Sequence, residues 1–189
     1  EDRKKLFKIL GKQSNTMGEK VWLKRRFKDY EIEREDIAEL KLRMDIVPTS
    51  IAIAQAAKES GWGTSRFALE GNAMYGQWTY GDEGIEPSQK DNSKDHKILK
   101  FPMLQSSVKA YMKNLNTHRG YKEFRSERAE LRKKNKNISG VNLVGYLYNY
   151  AQTGTEYVKT LKKIIEQNNL TDFDSSVLMN SGRSSSLTL

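Results

Sequence analysis

Pro48-Thr-Ser-Ile-Ala-Ile-Ala-Gln-Ala-Ala-Lys-Glu-Ser-Gly-Trp-Gly63 is the stretch from which the rest of the chain is read. Proline stops what precedes it, and Thr49 or Ser50 can cap a helix running to Ser60. From Ile51 to Glu59 the side chains are apolar or small nearly all round, Gln55 and Lys58 excepted. A helix with that pattern is buried. Gly61 follows where a left-handed C-cap is wanted. Glu59 thus falls in the last turn of a buried helix, the wrong end for an acid. The negative end of the helix dipole opposes its charge by ~0.3–1 kcal/mol when exposed, and burial opposes it further. A carboxyl group kept protonated near neutral pH is the general acid that glycoside cleavage needs. The competing reading is an ordinary glutamate fraying off a helix end. Ala52 and Ala56 lie on roughly the same face, so either other backbone approaches there or an opening lies above the carboxylate.

Outward from this helix, helical periodicity dominates. Asp2 to Tyr30 carries Leu6, Phe7, Leu10, Val21, Trp22, Leu23 and Phe27, broken at Gly11 and Gly18, and reads as one interrupted helix or two. Glu33 to Met44 places Ile37, Leu40 and Met44 on one face. After Gly61 the texture changes to clustered glycines and spaced aromatics, and Lys97–Phe101 reads as a strand, so a loop-rich insertion with a small β-hairpin is predicted. Helices resume with the stripe Leu104, Val108, Tyr111, Met112, Leu115. Further helices are expected over Tyr121–Lys134, Val141–Tyr150 and Glu156–Gln167. The expected fold is mainly α (α+β), with one inserted β element. Residues 1–45 form a helical extension, 46–170 the main domain with its β-lobe at about 73–102, and 171–189, rich in Ser and Asn, a flexible tail.

Composition narrows the chemistry. With 37% hydrophobic and 30% charged residues, the 189-residue chain has enough apolar material for one core. No apolar run approaches the roughly 20 residues of a membrane span, and Glu1–Lys8 lacks a signal-peptide core. The absence of cysteine excludes disulfides, thiolate metal sites and cysteine nucleophiles. Two histidines, His96 and His118, with no carboxylates at ligand spacing leave no expected metal, and no organic cofactor is implied. His118 reads as a surface or capping residue beside Asn114 at a helix end. The net charge of +9 favours a polyanionic partner, although each basic run reads most simply as a solvated helix face.

Ala54-Gln-Ala-Ala-Lys-Glu-Ser-Gly-Trp-Gly63, with Asn72-Ala-Met-Tyr-Gly76 downstream, resembles the signature of the glucosaminidases of glycoside hydrolase family seventy-three. Met44-Asp-Ile-Val-Pro48, Ser65-Arg-Phe-Ala68 and Gly76-Gln-Trp78 are similar to the Bax-type branch, found in Gram-negative bacteria. The likeness runs from about Arg43 to Gln167. It implies a lysozyme-like α lobe, a small β lobe, a cleft between them and Glu59 as the catalytic acid. Tyr150-Ala-Gln-Thr-Gly-Thr-Glu-Tyr157 resembles the family's Tyr-Ala-x-x-x-x-Tyr segment, but Gly154-Thr-Glu156 stands where an aspartate and proline usually precede the second tyrosine. The expectation is that the Tyr150 hydroxyl faces Glu59, with Tyr157 as the alternative.

The second carboxylate has no matching motif. Candidates on the β lobe are Asp82, Glu83, Glu86, Asp91 and Asp95, of which Glu86 is preferred, with Glu70 as a solvent-facing alternative. Two-carboxylate enzymes hold the pair roughly 5–9.5 Å apart, but a substrate 2-acetamido group can replace the second acid. Asn72 and Gln77 are candidate hydrogen-bonding residues for sugar, against a turn role for Asn72. Tyr75, Trp78 and Tyr80 are candidate stacking surfaces, against a β-lobe core role for Trp78. Trp62 either stacks on sugar or packs in the core, core packing being the simpler role.

The resemblance implies a monomeric endo-β-N-acetylglucosaminidase acting on peptidoglycan glycan strands in the periplasm or cell envelope, with no nucleic-acid partner. The rivals are a lytic transglycosylase on the same fold, a non-catalytic wall-binding module and a basic nucleic-acid binder, the last without any recognisable motif.

Overall fold

The computed structural model describes residues 1–79, 81–82, 84–86 and 97–177. Among them run helices α1 (Asp2–Leu10), α2 (Met17–Asp29), α3 (Ile37–Arg43), α4 (Thr49–Ser60), α5 (Arg66–Gly71), α6 (Leu104–Thr117), α7 (Lys122–Lys133), α8 (Gly140–Leu143) and α9 (Thr155–Gln167). Strands β1 (Trp78–Thr79), β2 (Gly84–Ile85) and β3 (Lys97–Leu99) lie between α5 and α6. They form an antiparallel sheet in the order β1-β3-β2, with Trp78 opposite Ile98 and Gly84 opposite Leu99. The mainly α architecture with one small β element is thus the one expected, although the insertion is a three-stranded sheet preceded by a helix, α5, that the glycine-rich texture concealed.

α4 lies at the centre. Ile51 and Ala54 are fully buried and Ala57 nearly so, within a core that gathers Tyr111 and Leu115 of α6, Phe124 of α7, Leu143, Leu147 and Tyr157, Leu161 and Ile165 of α9. Gly61 closes the helix in the left-handed region (φ 59°), and the Trp62 N–H bonds back to the Ala57 carbonyl at 2.7 Å. The N-terminal cap is not Thr49 or Ser50. Pro48 occupies the cap position without a side-chain bond, and the acceptor comes from Asp174. Its carboxylate accepts from the Ser50 N–H and hydroxyl, both at 2.8 Å, and from the Gly140 N–H at 2.9 Å. A carboxylate there also complements the helix dipole.

This capping corrects the expectation of a tail that loosens at Thr171. Leu170–Ser175 is a 3-10 helix packed on α4 and α9, and residues 178–189 lie outside the described residues. The expected helix Val141–Tyr150 is instead the short α8 followed by a 3-10 turn, Val144–Leu147. Gly140 begins it because a Cβ there would collide with the Ser50 side chain.

At the other end, α1, α2 and α3 share a cluster of their own, with Leu6, Phe27, Leu40 and Met44 buried. The α2 start is fixed by a capping box between Thr16 and Glu19. Asp45 ties this unit to α7. Its carboxylate accepts from Arg132 through both oxygens at 2.6 Å and pairs with Arg3 at 3.3 Å. Fully buried Arg128 donates to the Leu42 and Ile46 carbonyls and to Asn116. No helix among the described residues is long and apolar enough to cross a membrane.

Candidate active site

Glu59 leaves the last turn of α4 half-buried, and the chain turns sharply beyond it. Ser60 shapes that turn, its hydroxyl donating to the Ala56 carbonyl at 2.6 Å and accepting from the Gly63 N–H at 2.7 Å. Gly76 lies against the carboxyl. Its backbone is left-handed (φ 61°), and a Cβ built on it would stand 3.9 Å from Glu59 Oε2. The other oxygen, Oε1, accepts from the Tyr157 hydroxyl at 2.8 Å.

The site corrects the tyrosine assignment. Tyr157 holds Glu59, whereas the Tyr150 hydroxyl donates to the Tyr75 carbonyl at 3.1 Å. Tyr150 contributes a flat surface instead, stacked on the Tyr157 ring with centroids 5.6 Å apart and planes 5° from parallel. Tyr75 is likewise not a stacking surface for sugar. It is 5% exposed and stacks on Tyr111 at 3.9 Å. Burial pushes its phenol up to about 12.

Two residues behind this wall were not picked out by sequence reasoning. Gln55, wholly buried, donates from Nε2 to the Tyr157 hydroxyl at 2.8 Å and accepts at Oε1 from the Tyr111 hydroxyl at 2.6 Å. Gln55 precedes Glu59 by one helical turn, so both face α9. The signal was present, since Gln55 is the one uncharged polar side chain in an otherwise apolar helix face.

Burial dominates the electrostatics of Glu59 and raises its pKa above the ordinary carboxylate value, while the Tyr157 hydrogen bond and the Lys58 charge pull it down. The position at a helix C-terminus adds to the upward push. Among the described residues no second carboxylate figures in these influences. Glu86 is exposed just after β2, where its carbonyl oxygen accepts from Arg66. Glu70 is solvent-facing, 3.9 Å from Arg66. Asp82 is exposed. Glu83, Asp91, Asp95 and Tyr80 lie outside the described residues.

Trp62 and Trp78 are 63% and 60% exposed, so the core reading is wrong for both. Trp62 ends a groove of about 390 Å³ that Ala52, Ile53, Ala56, Met74 and Val108 also line. Ala52 and Ala56 thus border a groove, but Glu59 is not among the residues that line it. Asn72 takes the turn role, left-handed at the end of α5 (φ 51°), with Nδ2 donating to the Phe101 carbonyl at 3.0 Å. Gln77 pins the sheet through its carbonyl, which accepts from the Leu99 N–H at 2.7 Å, while its side-chain oxygen is buried without a donor. His118 caps the 3-10 turn Arg119–Tyr121 through Nδ1, as a capping residue would. No cluster of three or more potential metal ligands exists among the described residues.

Three likenesses bear on this geometry. Residues 34–170 match the glucosaminidase family described as mannosyl-glycoprotein endo-beta-N-acetylglucosaminidase. Protein bax of Escherichia coli (strain K12) is 35% identical over 126 residues, which are 67% of this chain and 44% of that protein. The chain thus spans less than half the length of that relative. The catalytic domain of the autolysin Auto from Listeria monocytogenes superposes with a TM-score of 0.52 at 18% identity, covering 92% of this chain and 97% of that one. That last likeness speaks for the fold alone. The family match, by contrast, covers most of the chain, from just before α3 to the end of α9, and includes Glu59, Gln55 and Tyr157. The chain belongs to the glucosaminidase family.

Proposed function

We propose that the protein is an endo-β-N-acetylglucosaminidase that hydrolyses the N-acetylglucosaminyl β-1,4 bonds of peptidoglycan glycan strands, with Glu59 as general acid and base. One observation carries the reading. Glu59 is a half-buried carboxyl group with a raised pKa, one oxygen held by Tyr157 and the other beside a glycine that adds no side chain. Such a group stays protonated to higher pH than an ordinary carboxyl and can give its proton to a leaving glycosidic oxygen.

The second step follows from what surrounds it. With no carboxylate of the described residues among the influences on Glu59, the reading is that the acetamido carbonyl oxygen of the sugar in the cleaved position supplies the nucleophile, attacking the anomeric carbon as the C–O bond breaks. Glu59, now a carboxylate, takes a proton from water as that water opens the cyclic intermediate. Tyr157 stabilises this carboxylate by donating to it, which suits the half of the cycle in which the charge exists. Exposed Trp62 and Trp78 present indole faces for sugar rings, and Tyr150 orients the Tyr157 ring by stacking. Residues 46–170 carry the reaction, and α1–α3 form a brace on α7. The +9 charge suits a substrate bearing peptide and muramyl carboxylates, and a substrate of that kind supports reading the protein as a monomer that works in the periplasm or cell envelope.

Digestion of purified peptidoglycan by the native protein and by Glu59→Gln tests this, with mass spectrometry of the fragments. Reducing N-acetylglucosamine ends from the native protein alone are expected. Anhydro-muramyl ends would reassign the reaction to a lytic transglycosylase. Equal inactivity of both proteins, with retained binding to the wall, would make it a binding module.

A further inference from the structure

The chain of hydrogen bonds behind Glu59 has a direction, and that direction selects which oxygen of the acid carries the proton. Tyr111 is fully buried, and its hydroxyl has a single proton, which goes to Gln55 Oε1 at 2.6 Å. An amide oxygen can only accept. The Gln55 amide is therefore held with Nε2 towards Tyr157, to whose oxygen it donates at 2.8 Å. The Tyr157 proton then has one place to go, Glu59 Oε1 at 2.8 Å. An oxygen receiving that proton is the poorer place for the proton of the acid itself.

From this we infer that Tyr111 and Gln55 are positioning residues that keep the acidic proton of Glu59 on Oε2, the oxygen beside Gly76 and not the one facing Tyr157. The inference rests on Glu59 being the acid, but the hydrogen-bond geometry stands apart from what the acid acts upon. The alternative arrangement makes the cost plain. If the Gln55 amide turned over, its oxygen would take the Tyr157 proton, and Glu59 could then park its own proton on Oε1, engaged in a hydrogen bond to the Tyr157 oxygen and not offered to a substrate. In the native chain that turn would leave the Tyr111 proton buried without an acceptor, which is costly. Tyr111 thus holds the polarity of the whole chain two hydrogen bonds away from Glu59. Among the described residues, the ionisable groups around Glu59 are Tyr157 of α9, Tyr150 before it, Tyr121 ahead of α7 and Lys58 beside it. None of the three tyrosines is charged near neutral pH, because burial raises each phenol.

Tyr111→Phe keeps the ring stacked on Tyr75 and removes the anchor alone. Released, the amide samples both orientations, the protonated acid gains a partner at Oε1, and part of the population holds its proton in the unproductive place. The expected result is a kcat about fivefold lower with KM unchanged, since acid catalysis as a whole supplies about 10²–10⁴. The basic limb of the pH profile should move up by about half a unit, because the protonated form is favoured. Carbon NMR of the labelled Glu59 carboxyl group should show the same upward shift without any substrate. In a Tyr157→Phe background the added Tyr111→Phe should change neither quantity. Gln55→Leu provides a second break in the chain, with a shift in the same direction. The inference is overturned if Tyr111→Phe leaves both the NMR titration and kcat at native values, or if its effect persists undiminished without the Tyr157 hydroxyl, as packing damage would. If instead Glu59→Gln keeps full activity while the NMR shift appears, the relay stands and the role given to Glu59 is what fails.

Discussion

Replacing Asp174 by alanine is expected to destabilise the helix that carries Glu59, although the two residues are 115 positions apart in the chain. The carboxylate accepts three hydrogen bonds at 2.8, 2.8 and 2.9 Å, from the Ser50 N–H, the Ser50 hydroxyl and the Gly140 N–H. Ser50 is fully buried and Gly140 is buried. Loss of the acceptor therefore leaves buried donors, not donors that water can serve. An orphaned buried donor costs about 1–3 kcal/mol, and loss of a helix cap typically costs about 1 kcal/mol. These costs overlap at the Ser50 N–H, so about 3 kcal/mol is the expected total. For a domain of this size that lowers Tm by about 6–12 °C. Denaturant and thermal unfolding of native protein, Asp174→Ala and Asp174→Asn measure it. The asparagine, which retains one acceptor oxygen, should fall between the other two. A truncation after Leu170 should be at least as destabilised as Asp174→Ala. A loss below about 1 kcal/mol in Asp174→Ala would refute the reasoning, since water would then be serving Ser50 and Gly140 in its place.

Tyr157→Phe removes an interaction that lowers the pKa of Glu59, so that pKa should rise further and the basic limb of the activity profile should extend to higher pH. The rate of the water step should fall, because the carboxylate loses its donor; pH–rate profiles of kcat check both. Trp62→Ala should change stability by less than about 0.5 kcal/mol, as expected for an exposed side chain, yet weaken binding to glycan fragments severalfold, read by calorimetry and intrinsic fluorescence. Asp45→Ala strips the partner from Arg132 and Arg3 at a carboxylate 2% exposed. It should cost about 3 kcal/mol or more in chemical denaturation and loosen α1–α3 first, seen as faster hydrogen exchange in α1 than in α9.

The helix, its left-handed stop at Gly61 and the placing of Glu59 were legible because each is local. Apolar periodicity, a glycine and an acid within thirteen residues carry them. The direction of a hydroxyl is not local. Tyr150 and Tyr157 are seven residues apart, both sit in the same stack, and only the turn at Gly154 (φ 50°) brings the second onto Glu59. Periodicity was equally silent on Trp62, because a tryptophan beside two glycines reads as an anchor. Its own left-handed backbone (φ 59°) carries it past the end of α4 and into the open. Asp174 was illegible for the same reason. A serine- and asparagine-rich composition describes the average residue of the tail, whereas the cap depends on one carboxylate meeting a helix start 124 residues earlier.

The two ends of α4 are treated in opposite ways, and the difference separates stability from chemistry. At the N-terminus a carboxylate stands where the dipole favours it, and three donors hold it. At the C-terminus another carboxyl stands where both dipole and burial oppose its charge, and a single phenol holds one of its oxygens. A helix placing Asp174 and Glu59 in the reverse electrostatic order would be weaker at one end and chemically inert at the other. The unfavourable end is tolerable because Ile51 and Ala54 are locked into the core between the two. A raised pKa at Glu59 can then persist in a rigid setting, where loss of the charge does not unwind the last turn. Gln55 lies midway and belongs to both tasks. It is buried polar surface that the core accepts only because Tyr111 and Tyr157 satisfy it from either side, and the same two bonds orient the donor on Glu59. Substitutions of Gln55 should therefore lose stability and proton placement together, whereas substitutions of Asp174 should lose stability while leaving the pH profile of the folded fraction in place.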